Sequence, residues 1–384
     1  MMKLRFLLLV LFIAVVQTAG AATYYAVVTG PWNNVTTWST GGCGTFVTPA
    51  VTPGAGDNIV VCLGVTVTVN INVSVANVTI NNGGVLQNGG ASTTNKSLTV
   101  TGTLLVNNGG TLIQNSVLNA STTLFAGVES FGPTSQVTVS NWYLPTQPLI
   151  TSVTSNFGSV SLNWATGANW WKNDGLGTTR TIAGNLTIGA GCQTFLDSTN
   201  TNITIPVPGN LTVNGKLRVK NTNTGNVTFN ITGNSSVGPA GDFSGIYGGS
   251  GNFIFTTNNL SSSTGGIFSG INNGIGNSNI SIIGTFTCAG NFYGINAPAL
   301  LNNGVPSISM FSLAYTGGVF MASNAHNIGG TANVSITSHA TVSFTTATDK
   351  IWLLGAGVVS GSNVTTALSL TIGGNLSIGG LSTC

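Results

Sequence analysis

The chain alternates strictly between aliphatic and polar residues over long stretches. Every odd position from Val65 to Val75 is Val or Ile, and every even position between them is Thr, Asn or Ser. Because successive side chains of a strand point to opposite faces of a sheet, this period of two predicts strands that are buried on one face. Shorter runs of the same kind recur as NVTI at 77–80, NLTI at 185–188, NVTF at 226–229 and NLSI at 375–378. No stretch combines the period and the caps of a helix, so we predict an all-β protein.

The short strands belong to a longer repeat. Asn-Asn-Gly-Gly at 81–84 returns 26 residues later, and Gly-Asn-Leu-Thr at 184–187 returns 25 residues later. Such a period, built from short strands with Gly and Asn turns, is typical of a solenoid whose coils bury their apolar faces on one another. Asn tolerates the left-handed backbone conformation and can stack in hydrogen-bonded ladders. We therefore predict a parallel β-helix, and a β-sandwich or jelly roll, which also needs frequent turns, is the alternative.

The N-terminus has the features of an export signal. Lys3 and Arg5 precede an unbroken apolar run at 6–16, and the small residues at 19–21 follow it. This run is shorter than the roughly 20 residues that a membrane-spanning helix needs, so we predict a signal peptide at 1–21, with a membrane anchor as the alternative. Gly, Asn, Thr and Ser interrupt every later apolar run. The mature chain is therefore expected to contain no transmembrane span and to be secreted or held on the outer cell surface.

The chain carries very little charge. Charged residues form 4% of it, whereas 42% is hydrophobic. An ordinary globular protein has about 25% charged residues. A disordered chain combines few apolar residues with a high net charge. The composition therefore matches neither an ordinary globular protein nor a disordered chain. Lys3 and Arg5 of the leader belong to the nine basic residues, which leaves seven against six acidic ones. This balance argues against nucleic acid as a partner and predicts a solvent-facing surface of Asn, Thr, Ser and Gly.

Two tryptophan pairs mark the organisation of the chain. Trp32 and Trp38 are six residues apart, as are Trp164 and Trp170, and each pair precedes a set of repeats. Pro145 lies between the two sets, and proline interrupts strand pairing.

These features predict a first β-repeat block at 22–145 and a second at 146–384. The second block is expected to be irregular at about 240–330, where Gly and Phe are frequent and the aromatic rings stack inside the coils; an insertion or a separate small β unit is the alternative. The chain stops just after the repeat-like GGNLSIGGLSTC, which indicates either a truncated protein or an end that a partner caps.

Five cysteines are present, and none forms a CxxC pair. Export permits disulfides, and Cys43 and Cys62 flank a single loop, so they are a candidate disulfide, with two buried thiols as the alternative. The odd number leaves at least one cysteine unpaired or intermolecular. His326 and His339 lie at no ligand spacing from a cysteine or from each other, so we predict no metal site and no cofactor.

The acidic residues offer little for catalysis. The six, at positions 57, 129, 174, 197, 242 and 349, are isolated in sequence, and polysaccharide lyases and glycoside hydrolases need clustered carboxylates or a bound cation. We therefore predict that the protein is not an enzyme, with a polysaccharide lyase or glycoside hydrolase as the alternative. Asp57 follows Gly56 before an aliphatic run, and we expect it to act as a turn residue.

Two groups of residues are candidates for contact with glycans. Lys216, Arg218 and Lys220 recur at a period of two, which places all three on one face of a strand. They could bind an acidic glycan or phosphate, or form a solvated face that discourages edge pairing. Trp170 and Trp171 could stack on a sugar ring, or pack in the core or between the blocks.

The opening of the mature chain carries a recognisable motif. Gly30, Trp32 and Trp38 form G-x-W-x5-W, and PGAGDNIVV at 53–61 and the alternating valines follow. With the export signal, this resembles the opening of many secreted Bacteroidetes surface proteins of the β-helical repeat type, over roughly 24–115 and more weakly over 158–215. The resemblance implies a right-handed parallel β-helix that is exported through the outer membrane.

Together these observations predict a secreted or cell-surface structural or adhesive repeat protein. Its uncharged, hydrogen-bonding faces could contact extracellular glycans or other copies of the chain. A carbohydrate-binding module and a β-helical polysaccharide-degrading enzyme are the alternatives.

Overall fold

In the computed structural model, short parallel strands stack coil upon coil into a β-solenoid. The structure describes residues 21–89, 96–115, 128–140, 157–163, 171–172, 182–197, 200–222, 224–297, 304–324, 332–344, 350–354, 368–372 and 376–380. Over these residues it contains no α-helix, and its one 3₁₀ turn is Val35–Thr37. The predicted parallel β-helix is therefore confirmed, and the β-sandwich alternative is wrong.

The strands fall into four stacks, with a short two-stranded sheet beside them at Val73–Val75 and Leu98–Val100. The N-terminal stack consists of Thr23–Ala26, Asn58–Val61, Asn77–Ile80, Thr103–Val106 and Val128–Phe131. The long stack consists of Gly30–Pro31, Thr66–Val69, Val85–Asn88, Thr111–Gln114, Gln136–Val139, Ser159–Leu162, Leu186–Ile188, Leu211–Val213, Ser235–Val237, Leu260–Ser262, Ala340–Phe344 and Leu376–Gly380, and includes the second halves of Ser278–Cys288 and Pro306–Tyr315.

The two other stacks occupy the C-terminal part of the solenoid. The C-terminal stack consists of Ile203–Val207, Val227–Ile231, Phe253–Thr257, Ala332–Ile336 and Leu368–Ile372, with the first halves of Ser278–Cys288 and Pro306–Tyr315 between them. The eight-stranded sheet consists of Trp171–Lys172, Gln193–Asp197, Lys216–Asn221, Asp242–Tyr247, Ile267–Asn272, Asn291–Asn296, Val319–Ser323 and Lys350–Leu354.

The sequence repeats correspond to coils that lie directly on one another. Asn107 Nδ2 donates to Asn81 Oδ1 at 3.1 Å, and the backbone N–H of Asn210 donates to Asn185 Oδ1 at 2.8 Å. Gly83 and Gly109 both have left-handed backbone angles, with φ of 69° and 75°, which explains why glycine recurs in this turn. At these two motifs the repeat of 26 or 25 residues is therefore the length of one coil.

The core is a continuous column inside the coils. Inward residues of the strands are buried, as Val67, Leu86 and Leu211 show, while their neighbours along the strand face outward. In the region predicted to be irregular, Phe243, Phe268, Phe292 and Phe320 form a stack with centroid separations of 4.6, 5.2 and 5.0 Å. The predicted stacking of aromatic rings inside the coils is confirmed, and the strands here remain paired with the neighbouring coils.

Two buried tryptophans close the first coil. The Trp32 and Trp38 rings meet edge to face at 4.8 Å, and both side chains are fully buried. Trp38 Nε1 donates to the Trp32 carbonyl at 2.8 Å, and Trp32 Nε1 donates to the Pro53 carbonyl at 3.1 Å. Trp38–Ser39 also pairs antiparallel with the strand Thr23–Ala26. We call this arrangement the tryptophan cap.

Several predictions fall on residues that the structure does not describe. The leader at 1–20, Trp164, Trp170, His326 and the block boundary near residue 145 are among them. The long stack pairs Gln136–Val139 with Ser159–Leu162 on either side of that boundary, so the coils continue across it. The described part of the chain contains no helix long and apolar enough to cross a membrane.

Candidate functional site

The structure separates the three basic residues of the strand Lys216–Asn221. Lys216 is exposed and Arg218 is half-buried, but the alternation breaks at Val219, because Val219 and Lys220 are both fully buried. The prediction that the three share one face is therefore wrong for Lys220. Burial is possible because Lys220 Nζ lies 2.8 Å from Asp197 Oδ2 and donates to the Thr201 carbonyl at 2.7 Å, so its charge is paired.

Arg218 is held by its neighbours on the outer side of the eight-stranded sheet. Its guanidinium lies 3.2 Å from the centroid of the Tyr247 ring, and Nη1 donates to Asn221 Oδ1 at 3.4 Å. Burial lowers the pKa of Arg218, while Tyr247 and Asp242 act in the opposite direction. Lys216 is in register with Asp242, whose pKa is raised by burial and lowered in part by Arg218 and Lys216. Two cations and one carboxylate thus share a small patch, which weakens its attraction for anions.

The other sequence candidates give no assembled site. Trp170 lies outside the described residues, and Trp171 is described only as backbone in the strand Trp171–Lys172. Asp57 accepts hydrogen bonds from the backbone N–H groups of Gly54 at 2.9 Å and Ala22 at 3.2 Å, which confirms its role as a turn residue. Among the described residues, no three His, Cys, Asp or Glu side chains are close enough to hold a metal ion.

The four cysteines that the structure describes divide between a covalent bond and the core. Cys43 and Cys62 form a disulfide with their Cα atoms 5.6 Å apart, so the buried-thiol alternative for this pair is wrong. Cys192 and Cys288 are buried, and burial raises the pKa of the Cys288 thiol to about 12. A thiol with so high a pKa carries no thiolate at neutral pH, so Cys288 is a packing residue rather than a nucleophile.

The outward side of the C-terminal stack carries a regular polar surface that sequence reasoning did not single out. Two parallel rows of outward residues run across six successive coils. The first row is Thr204, Thr228, Ile254, Asn279, Ser307 and Asn333, and each member is in register with the next. The second row is Pro206, Asn230, Thr256, Ser281, Ser309 and Ser335, again in unbroken register. We call these twelve positions the hydroxyl array.

The spacing of the hydroxyl array follows from the backbone. Neighbouring strands of a sheet lie about 4.8 Å apart, and outward residues of one strand are two residues, or about 6.7 Å, apart. The array is therefore a two-dimensional grid with one axis along the solenoid. None of its twelve residues is charged or aromatic, and all are exposed or half-buried.

Apart from Asn333, the polar side chains of the array make no hydrogen bond within the described part of the fold. The asparagines at the neighbouring corner behave differently. Asn202, Asn226 and Asn252 each accept the backbone N–H of the corresponding residue one coil later, at 2.8, 2.9 and 3.1 Å. The solenoid thus separates asparagines that hydrogen-bond successive coils from the outward hydroxyl and amide side chains of the array, where Asn333 is the exception.

The strand alternation predicts that Thr, Ser and Asn face outward, but it does not predict which residues of successive coils lie side by side. Coil lengths vary along the chain, since paired residues are 24 apart between Thr204 and Thr228 and 28 apart between Asn279 and Ser307. A repeat of constant length therefore assigns the wrong neighbours to these residues. The rows are evident only from the observed strand pairing. No protein-family model, curated protein or solved structure matches the chain.

Proposed function

We propose that the protein is a secreted or cell-surface structural repeat protein with an adhesive outer surface. The single observation that supports this best is the hydroxyl array, an uncharged grid that spans six coils and in which ten of the twelve side chains carry hydroxyl or amide groups. A surface of this kind acts through many weak contacts rather than through one deep site. The predicted export signal at 1–21 supports a location outside the cell.

A role other than catalysis is part of the same proposal. Two of the described carboxylates have structural roles. Asp57 accepts a backbone hydrogen bond in a turn, and Asp197 pairs with Lys220. Asp242 lies beside the cations Lys216 and Arg218. The retaining and inverting mechanisms of glycoside hydrolysis both need a pair of carboxyl groups.

The proposal is tested by two measurements on the purified mature chain. We expect it to adhere to polysaccharide-coated surfaces or to cells while releasing no new reducing ends from a panel of soluble glycans. Depolymerisation of any glycan in the panel would overturn the structural role in favour of an enzyme. Absence of adhesion to every surface and to immobilised copies of the chain would overturn the adhesive role.

A further inference from the structure

We propose that the outer face of the eight-stranded sheet holds a binding site for a neutral glycan chain, with Tyr293 as the ring on which a sugar stacks and Ser269 as a hydrogen-bonding group. This site is separate from the hydroxyl array and goes beyond the proposed adhesive function by naming a ligand of defined chemistry. Either surface can fail its test without the other, because the two belong to different stacks of the solenoid.

One outward row of this sheet combines aromatic and small polar side chains. Its members lie in register on six successive coils, namely Phe195, Arg218, Ser244, Ser269, Tyr293 and Met321. Phe195 and Tyr293 are partly exposed. The guanidinium of Arg218 lies over the ring of Tyr247, which adds a third aromatic side chain to this face. The two serines therefore lie between larger side chains, on strands that are about 4.8 Å apart.

Ser269 carries a hydroxyl group without a partner in the described part of the fold. Its neighbour Phe268 belongs to the ring stack inside the coils, so Ser269 is on the outer face, yet it is fully buried and its Oγ accepts and donates no hydrogen bond there. Ser244 Oγ, one coil earlier, accepts from Asn272 Nδ2 at 3.2 Å. Asp242 Oδ1 is likewise buried and unpaired among the described residues. Because buried polar atoms are nearly always hydrogen-bonded, two unpaired oxygens on one face indicate a site that a ligand completes.

The aromatic rings and the unpaired oxygens together select a sugar. A sugar ring has a flat C–H face that packs on an aromatic side chain, and hydroxyl groups at its edge that both donate and accept hydrogen bonds. Such hydroxyl groups match a serine and also a carboxyl group in either protonation state. A peptide fits this face less well, because the strands that carry the row from Arg218 to Tyr293 are paired on both sides and leave no edge for an added strand.

The charges of the face select a neutral sugar. Asp242 interacts electrostatically with Lys216 and Arg218, so the positive charge of the face is partly balanced. The Arg218 guanidinium is also engaged, since it lies 3.2 Å from the centroid of the Tyr247 ring and donates to Asn221 Oδ1 at 3.4 Å. An ionised Asp242 repels the carboxylate of an acidic sugar, whereas its unpaired oxygen can accept a hydrogen bond from the hydroxyl group of a neutral one.

The stacking contact is tested by Tyr293→Ala, with Phe311→Ala as the matched control. Phe311 is 50% exposed and lies in the strand Pro306–Tyr315, outside the eight-stranded sheet. The mobility of each variant is measured in native gels that contain hydroxyethylcellulose, galactomannan or laminarin, with polygalacturonate as the acidic probe. We expect at least one neutral glycan, and not polygalacturonate, to retard the wild-type chain. Y293A should bind about tenfold more weakly, and F311A should bind like the wild type.

Ser269→Ala distinguishes a ligand contact from a packing role. Removing a buried hydroxyl group that has no partner should leave the thermal unfolding midpoint unchanged or raise it, whereas the affinity for the glycan should fall about tenfold because a hydrogen bond to the ligand is lost. Circular dichroism establishes that all variants are folded.

Several outcomes would contradict the site. The inference is wrong if no neutral glycan retards the wild-type chain, if polygalacturonate retards it more than the neutral glycans do, or if F311A loses as much binding as Y293A. It is also wrong if S269A binds like the wild type, or if its unfolding midpoint falls, since the hydroxyl group would then serve the fold. Adhesion to surfaces through the hydroxyl array would in each case still support the proposed function.

Discussion

Lys220 and Asp197 occupy a buried row whose next three members are isoleucines. Lys220 is in register with Asp197 on one coil and with Ile246 on the next, and Ile271 and Ile295 continue the row. A buried ion pair is often no more stable than the aliphatic residues that could replace it, but removing one partner leaves a buried charge without compensation. The isoleucines further along the row show which side chains this buried position accommodates in place of the ion pair.

We expect Lys220→Met to destabilise the protein by about 3–5 kcal/mol, because Asp197 then remains buried without its cation. The double variant Asp197→Val with Lys220→Ile should recover most of this loss, since it extends the isoleucine row. Urea unfolding monitored by circular dichroism measures both effects. Lys216→Met on the exposed side of the same strand is the control, and an equal loss there would contradict the explanation.

Asp242 provides a prediction of pH dependence. Burial raises the pKa of its carboxyl group, and Arg218 and Lys216 only partly oppose the shift. A carboxyl whose pKa is raised by folding binds its proton more tightly in the folded state, so this contribution to stability is present at acidic pH and is lost as the pH rises through the folded pKa. Asp242→Asn, which keeps the shape without the charge, should therefore raise the thermal unfolding midpoint at neutral pH.

The difference between Asp242→Asn and the wild type should shrink as the pH is lowered, because the wild-type carboxyl becomes neutral as well. Thermal unfolding midpoints measured from acidic to neutral pH test this trend. A lower midpoint for the variant at neutral pH would show that pairing of Asp242 with Lys216 and Arg218 outweighs the effect of burial.

At the scale of the strand and its turn, asparagine ladders join successive coils. Ser159, Asn185, Asn210, Asn234 and Asn259 occupy equivalent corners. The side-chain oxygen of each of the first three accepts the backbone N–H of the next member, at 3.1, 2.8 and 2.8 Å. The ladder continues when Asn259 Nδ2 donates to Asn234 Oδ1 at 2.8 Å and Asn259 Oδ1 accepts the Thr285 N–H at 2.8 Å. The recurrence of Asn before the aliphatic residue of each repeat thus has a direct structural cause.

We expect Asn210→Ala to destabilise the protein by about 0.5–1.5 kcal/mol, because the backbone N–H of Asn234 loses its acceptor in the ladder. Asn210→Ser should be milder, since Ser159 fills the same role at the start of the ladder. The free energy of unfolding in urea measures the difference. Equal losses for both variants would indicate that the ladder depends on side-chain volume rather than on the acceptor oxygen.

For the molecule as a whole, the sequence predicts the architecture better than the surface chemistry. The alternation at Val65–Val75 and the repeated Asn-Asn-Gly-Gly turn are local features, and they are sufficient to predict parallel coils. Lys220 could not be placed correctly, because the break in alternation at Val219 depends on a partner, Asp197, in the previous coil. The hydroxyl array was missed for the same reason, since its rows arise from pairing between coils of unequal length.

The tryptophans at positions 32 and 38 cover the first described coil of the solenoid. A solenoid ends in an uncovered coil unless something closes it, and an uncovered strand edge can pair with another chain. The two rings are buried in the first coil, and a Cβ atom at Gly30 would lie 2.5 Å from Thr37 Oγ1, so a larger residue there would displace the Thr37 side chain. The motif therefore specifies the packing of the tryptophan cap.

The Cys43–Cys62 disulfide joins the loop that follows the cap to the strand Asn58–Val61 through the adjoining residue. Removing a disulfide typically destabilises a protein by about 2–4 kcal/mol, mainly because the unfolded chain gains freedom. For Cys43→Ser with Cys62→Ser we expect this loss to be confined to the first coils, because a solenoid coil contacts only its neighbours. The cap should then open before the rest of the protein unfolds.

Hydrogen exchange followed by mass spectrometry distinguishes local opening from global loss of stability. Peptides that contain Thr23–Ala26 and Trp38–Ser39 should exchange faster in the double serine variant, whereas peptides from the eight-stranded sheet should be unchanged. Reduction of the wild-type disulfide should have the same effect as the two substitutions. Uniformly faster exchange along the chain would instead show that the cap controls the stability of the whole solenoid. Unchanged exchange at Thr23–Ala26 and Trp38–Ser39 would show that the tryptophan packing stabilises the cap without the disulfide.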